Sequence, residues 1–155
     1  MTAREGRALG IHWAFAPVLD VNNNPDNPVI NIRSFGEDPE AVGRLGAAFV
    51  EGARSGGLMT SAKHFPGHGG TTQDSHDALP RVARTRDVLE ARDLAPFREA
   101  AAHVRSFMTA HVAYPALAPG EAPATIEPRI SRARRMVRDA SRETDAIAAR
   151  ATTAP

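Results

Sequence analysis

The sequence predicts an α/β fold, with parallel strands and helices packed outside them. Apolar strand-like runs, polar loops and helical stretches alternate along the 155 residues. The simplest packing of a repeated strand, loop and helix is a parallel sheet covered by helices. The side chains best equipped for chemistry, Asp20, Lys63, His64 and His111, all fall at the carboxyl ends of strand candidates. Active sites of parallel α/β proteins lie at that edge.

The opening "MTAREGRALG" reads as the second half of a helix that ends at Gly10. It carries charges but no apolar core, so it is not a secretory signal, and a cytoplasmic location is expected. "IHWAFAPVLDV", residues 11–21, is nearly continuous in apolar character and suits a strand buried on both faces. The loop "NNNPDNPVINIRSFGEDPE" follows, rich in turn formers. Asp38 can cap a helix with Pro39 at its first position. That helix should place Val42, Leu45, Phe49 and Val50 on one face and stop at Gly56–Gly57. "GLMTSAKHF" is a second strand running into a histidine-rich loop. Thr85 or Asp87 should open a further helix, with Leu89, Leu94, Phe97 and Ala101 at helical spacing. Residues 104–116, "VRSFMTAHVAYPA", form the third strand candidate. From Arg129 onward the chain is rich in arginine and alanine, and a basic helix or a disordered end is expected.

Composition narrows the function. The formal charge is +1, so electrostatics suggests neither a nucleic-acid nor a membrane partner. The absence of cysteine excludes disulfides, thiolate zinc sites and cysteine nucleophiles. No apolar run is long enough for a transmembrane helix. At this length one ordinary domain fits, whereas a complete barrel enzyme needs about 250 residues.

Three of the six histidines crowd into "KHFPGHGGTTQDSHDALP", residues 63–80. Three readings compete. A metal site could draw on His64, His68, Asp74 and His76, but Pro66 and Gly67 prevent the first two from sharing a helix face. A polar surface turn is the plainest reading. The third is acid/base chemistry centred on "DSH". Asp74 and His76 are two apart, so both can project from one side of an extended loop. A carboxylate beside an imidazole fixes its tautomer and orients it for giving and reclaiming a proton. Lys63 and His64 leave a strand end together and suit the hydroxyl groups of a polar substrate.

Three long stretches in order carry a resemblance: "HWAFAPVLDVNNNPDNPVINIRSFGEDPE", "SAKHFPGHGGTTQDSHDALP" and "MTAHVAYPAL…PATIEP". Residues 1–128 resemble the central part of the N-terminal barrel domain of glycoside hydrolase family 3. Within that family they resemble the bacterial β-N-acetylhexosaminidases, which release N-acetylglucosamine from cell-wall fragments. Residues 129–155 form a divergent tail. The resemblance implies a partial (β/α)8 TIM-type barrel and a retaining mechanism without a metal or cofactor. It implies His76 as proton donor and acceptor, with Asp74 as its partner. The implied sugar-binding positions are Arg33, Lys63 and His64, with Asp20, which ends its strand on the same face, as a fourth candidate. For Arg33 the alternative is an ion pair with Glu37 or Asp38, and for Asp20 a cap on the Asn-rich turn. His12, Trp13, His103 and Tyr114 are read as packing or surface residues.

The chain departs from the family in two places. "GHGG" stands where the family commonly has "GHGD", so Gly70 lacks a carboxylate and the loop should lose a bond that orders it. The apolar strand that leads to the nucleophilic aspartate is missing, and Asp145 of "ETDAI" is not assigned that role. A piece of a barrel leaves apolar area uncovered. Losing several hundred Å2 of burial costs on the order of 10 kcal/mol, so the chain alone is expected to be unstable and without turnover. A β-glucosidase-like or phosphorolytic enzyme and a non-catalytic carbohydrate-binding remnant are the alternatives.

Overall fold

A computed structural model describes residues 2–117; the tail from Arg129 and Asp145 lie outside them. Helix α1 (Thr2–Ala8) leads to strand β1 (Trp13–Ala14), helix α2 (Pro39–Ser55) and strand β2 (Met59–Phe65). A short helix α3 (Arg86–Val88) runs through a π-helical turn (Leu89–Asp93) into α4 (Ala95–Ala100), and strand β3 (Ser106–Thr109) follows. Among the described residues the sheet is open and three-stranded, in the order β1-β2-β3, with both pairings parallel. The α/β class and the parallel sheet are therefore as the sequence predicts.

The first strand is much shorter than residues 11–21. Pro17 has no N–H to give, and the regular ladder ends at Ala14. The chain nevertheless stays on β2: Lys63 N donates to Pro17 O at 3.0 Å and Leu19 N donates to Lys63 O at 2.6 Å. Helix α2 begins as expected, with the Asp38 carboxylate accepting from the Glu40 and Ala41 amides and Pro39 at its first position. Its buried face differs. Val42, Gly43, Gly46, Val50 and Ala53 are buried, whereas Leu45 is half exposed. A Cβ on Gly46 would lie 2.2 Å from Leu19 Cδ2, so a bare backbone, not Leu45, meets the sheet.

The helical residues of the next segment are placed as expected, with Leu89, Leu94, Phe97 and Ala101 all buried. Leu19, Ala62, Phe97 and Ala100 make one core cluster between sheet and helices, with Phe65, Val104 and Phe107 against it. A second cluster joins Val82, Leu89, Val112 and Tyr114, and ties the chain after the histidine loop to the chain after β3. No helix among the described residues is long and apolar enough to cross a membrane.

Candidate active site

The site grows from the carboxyl end of β2, where the ladder is irregular. Ala62 and Lys63 pair with Phe107 and Met108, Phe65 pairs with Thr109, and His64 is left out of the register. The Lys63–His64 and Phe65–Pro66 peptide bonds are cis. The His64 amide donates to the two oxygens of Asp20 at 3.3 and 3.2 Å, and His64 Nδ1 lies 2.7 Å from Asp20 Oδ2. The His68 amide donates to Asp20 Oδ1 at 2.5 Å. Asp20 is fully buried, and three donors from one loop converge on its carboxylate. A carboxylate only accepts, so Nδ1 of His64 carries the proton and Nε2 is the nitrogen offered to a ligand.

Lys63 sits beside this pair. Burial, with the Arg33 guanidinium nearby, holds the Lys63 ammonium below the ordinary lysine range, and Asp20 pulls in the opposite direction. Arg33 is exposed and donates to Val29 O at 3.0 Å from a 3-10 turn (Asn31–Arg33). Among the described residues it makes no ion pair with Glu37 or Asp38, whose carboxylate caps α2 instead. Arg33, Lys63, His64 and Asp20 are thus gathered from two loops and one strand end.

Asp74 and His76 stand on the neighbouring loop. His76 Nδ1 is 2.6 Å from Asp74 Oδ1, and the His76 amide donates to the same oxygen at 2.9 Å. The contact comes from a turn, not from the extended loop the spacing suggested. The Asp77 and Ala78 amides fold back onto Asp74 O, which closes the distance that an extended chain would leave between alternate side chains. The hydrogen bonds from the His76 amide and ring hold the Asp74 carboxyl below its usual range. The His76 side chain is 84% exposed. No hydrogen bond or ion pair among the described residues joins it to Lys63, His64 or Arg33, although the charges of Asp74 and His68 act on one another.

Several supporting residues escaped sequence reasoning. Asn27 is buried and donates to the carbonyls of His68 and Gly69, while its Oδ1 accepts from the Val29 and Ile30 amides. It locks the loop of Arg33 to the loop of His64. Gly69 presses so closely on Val21 that a Cβ would sit 1.8 Å from the Val21 carbonyl oxygen. His68 is buried with Nδ1 2.7 Å from Thr71 Oγ1, and burial pushes its pKa down. Tyr114 is also buried and donates to Gly67 O at 2.5 Å, so its role is internal packing under this loop. Gly70 has the Arg84 guanidinium over it, and that guanidinium finds its carboxylate partner in Asp93. No group of three or more His, Asp or Glu among the described residues is arranged to hold a metal ion.

A lysine, an arginine and an oriented imidazole near the carboxyl end of β2 suit a polar ligand with hydroxyl or anionic groups. The glycosyl hydrolase family 3 N-terminal domain matches residues 1–135, and the chain belongs to that family. It is 51% identical over 116 residues to beta-hexosaminidase A of Pseudoalteromonas piscicida, covering 74% of this chain and 19% of that protein. A solved family 3 β-N-acetylglucosaminidase from a Paenibacillus species is 53% identical with a TM-score of 0.78, over 81% of this chain and 24% of the other. NagZ of Neisseria gonorrhoeae, solved with N-trifluoroacetyl-D-glucosamine, is 46% identical with a TM-score of 0.71, over 76% and 34% of the two chains. The chain therefore spans about a fifth to a third of the length of these proteins.

Proposed function

We propose that this chain supplies the sugar-binding wall and the proton-transfer loop of a retaining β-N-acetylhexosaminidase that acts on terminal N-acetylglucosamine. Its parallel strands would be a segment of a (β/α)8 barrel. The observation that carries the reading is the Asp74–His76 pair, 2.6 Å from Nδ1 to Oδ1 on an exposed turn of the chain that also presents Lys63 and His64. The relatives named for β-hexosaminidase and β-N-acetylglucosaminidase activity support the same reading.

In the proposed reaction Arg33, Lys63 and His64 hold sugar hydroxyls, the two cations as donors and His64 Nε2 as acceptor. Asp20 acts through His64 by fixing its ring. His76 Nε2–H gives its proton to the departing glycosidic oxygen while a carboxylate outside the described residues bonds to the anomeric carbon. The neutral His76 then takes a proton from water as that water attacks the same carbon and releases the carboxylate. Asp74 keeps the ring tautomer right for both steps.

The test is a chimera in which this chain replaces the matching segment of the Paenibacillus enzyme, assayed with nitrophenyl N-acetyl-β-glucosaminide. Hydrolysis that falls by about a hundredfold or more on His76→Ala is the expected result. A chimera that binds N-acetylglucosamine by calorimetry yet never cleaves the glycoside would favour a carbohydrate-binding remnant. Formation of a sugar phosphate in phosphate buffer would favour phosphorolysis.

A further inference from the structure

The segment that carries Asp74 and His76 is short, and its two roots are held. Before it, Asn24 Nδ2 donates to Thr71 O at 2.7 Å. After it, Val82 N donates to Ala113 O at 3.0 Å and Ala113 N donates to Pro80 O at 2.8 Å. Residues 72–79 between these points are exposed or half exposed. One side chain, from just after the segment, reaches back to the residue just before it. Arg84 follows the segment in sequence, and its guanidinium lies over Gly70, which precedes it. A Cβ at Gly70 would stand 2.6 to 2.7 Å from three guanidinium atoms.

The guanidinium is itself fixed. Nη1 donates to Asp93 Oδ1 and Oδ2 at 3.0 and 3.2 Å, and Nη2 donates to Asn23 Oδ1 at 2.7 Å. Asn23 Nδ2 closes the triangle on Asp93 Oδ1 at 3.4 Å. The Asp93 side chain is 2% exposed and that of Arg84 22%, so the fork is held away from most solvent. A planar fork with several donors can serve two acceptors at once, which a lysine ammonium on a flexible stem does poorly.

We propose that Arg84 is a positioning residue for the proton-transfer loop: its fork with Asp93 and Asn23, seated on Gly70, fixes the separation of the roots of residues 72–79 and so the reach of His76. This rests on the acid/base role proposed for His76. Gly70 is part of the device, because the missing side chain is what admits the guanidinium. In this chain the carboxylate that meets the guanidinium is Asp93. Loosening the fork should misplace the acid without touching Arg33, Lys63 or His64, so kcat should fall while KM holds.

Two variants test this, Arg84→Lys, which keeps the charge, and Gly70→Ala, which leaves Arg84 and Asp93 in place but inserts a Cβ beneath the fork. In the Paenibacillus chimera each should lower kcat by about tenfold or more with KM within about threefold. In the same chimera each should speed cleavage at Asp74 and Asp77 by an aspartate-directed protease, relative to Asp87 and Asp38. Unchanged kcat in both variants, or equal losses in kcat and 1/KM with cleavage accelerated everywhere, would overturn the proposal. If the parent chimera is inactive, the proposed function fails, and the selective cleavage decides the clasp by itself: present, it stands as a loop anchor; absent, it is overturned.

Discussion

Asp20 and His64 are joined twice, through the His64 amide and through Nδ1 at 2.7 Å, with the carboxylate wholly buried beneath the ring. The strand end that presents Lys63 is thereby tied to the chain that follows Pro17. Asp20→Asn would leave at least one of the converging N–H groups facing an amide N–H. Breaking a buried charged acceptor of this kind costs about 3 kcal/mol, so the chimera's thermal midpoint should fall and its KM should rise. A variant with an unaltered melting curve and KM would show that the pairing orients nothing.

Helix α2 offers a paired comparison. Gly46→Ala forces a methyl to within 2.2 Å of Leu19 Cδ2, and overpacking of this kind costs about 1 to 3 kcal/mol. Gly52 lies in the same helix with nothing within 4 Å of an added Cβ. Gly52→Ala should stabilise by about 0.5 to 1 kcal/mol through helix propensity. Denaturant unfolding of the two chimeras should move in opposite directions.

His68 makes stability depend on pH in one direction. Burial lowers its folded pKa below the ordinary 6.5, and Asp20, His64 and Asp74 add smaller opposing or reinforcing effects. Below about 6.5 the unfolded chain takes up the proton before the folded chain does, so stability is full above that pH and is lost as pH falls toward the folded value. His68→Gln should flatten the slope of unfolding free energy between pH 7 and the folded pKa. A slope unchanged by the substitution would place the titrating group elsewhere.

The edge at β1 is apolar. Ile11, Trp13 and Phe15 alternate along it and are 48%, 50% and 59% exposed, with Met59 of β2 beside them. Trp13 and Phe15 stack edge to face at 5.8 Å. An exposed strand edge with an aromatic face invites pairing with another chain. The 155-residue chain should self-associate in light scattering, and the double variant Trp13→Lys, Phe15→Glu should reduce the scattering mass. A cooperative melt from a monodisperse monomer of the unaltered chain would contradict this.

What was readable in the sequence were features with local causes. The Asp38–Pro39 start of α2, the buried Leu89, Leu94, Phe97 and Ala101, and the parallel pairing of the strands all follow from caps, periodicity and alternation. Leu45 was misplaced because periodicity cannot see that Gly46 lets the helix sit directly on Leu19. The strand over residues 11–21 was overextended because its apolar character outweighed the lost donor of Pro17. Asn27 lies 41 residues from His68, and Asn23 lies 70 from Asp93, so no local signal marks them. Asn27 in an Asn-rich loop reads as a turn former, and only the fold shows it as the bolt between two functional loops.

The proposed reaction requires His76 to deliver the proton to the leaving oxygen. The most direct measurement compares His76→Ala with the unaltered chimera on two N-acetyl-β-glucosaminides that differ only in their leaving groups. With methyl, whose alkoxide leaves only when protonated, kcat/KM should fall by about a hundredfold or more. With dinitrophenyl, which departs without a proton, the loss should stay within about tenfold. Equal losses on both substrates, or none on either, would show that His76 is not the proton donor.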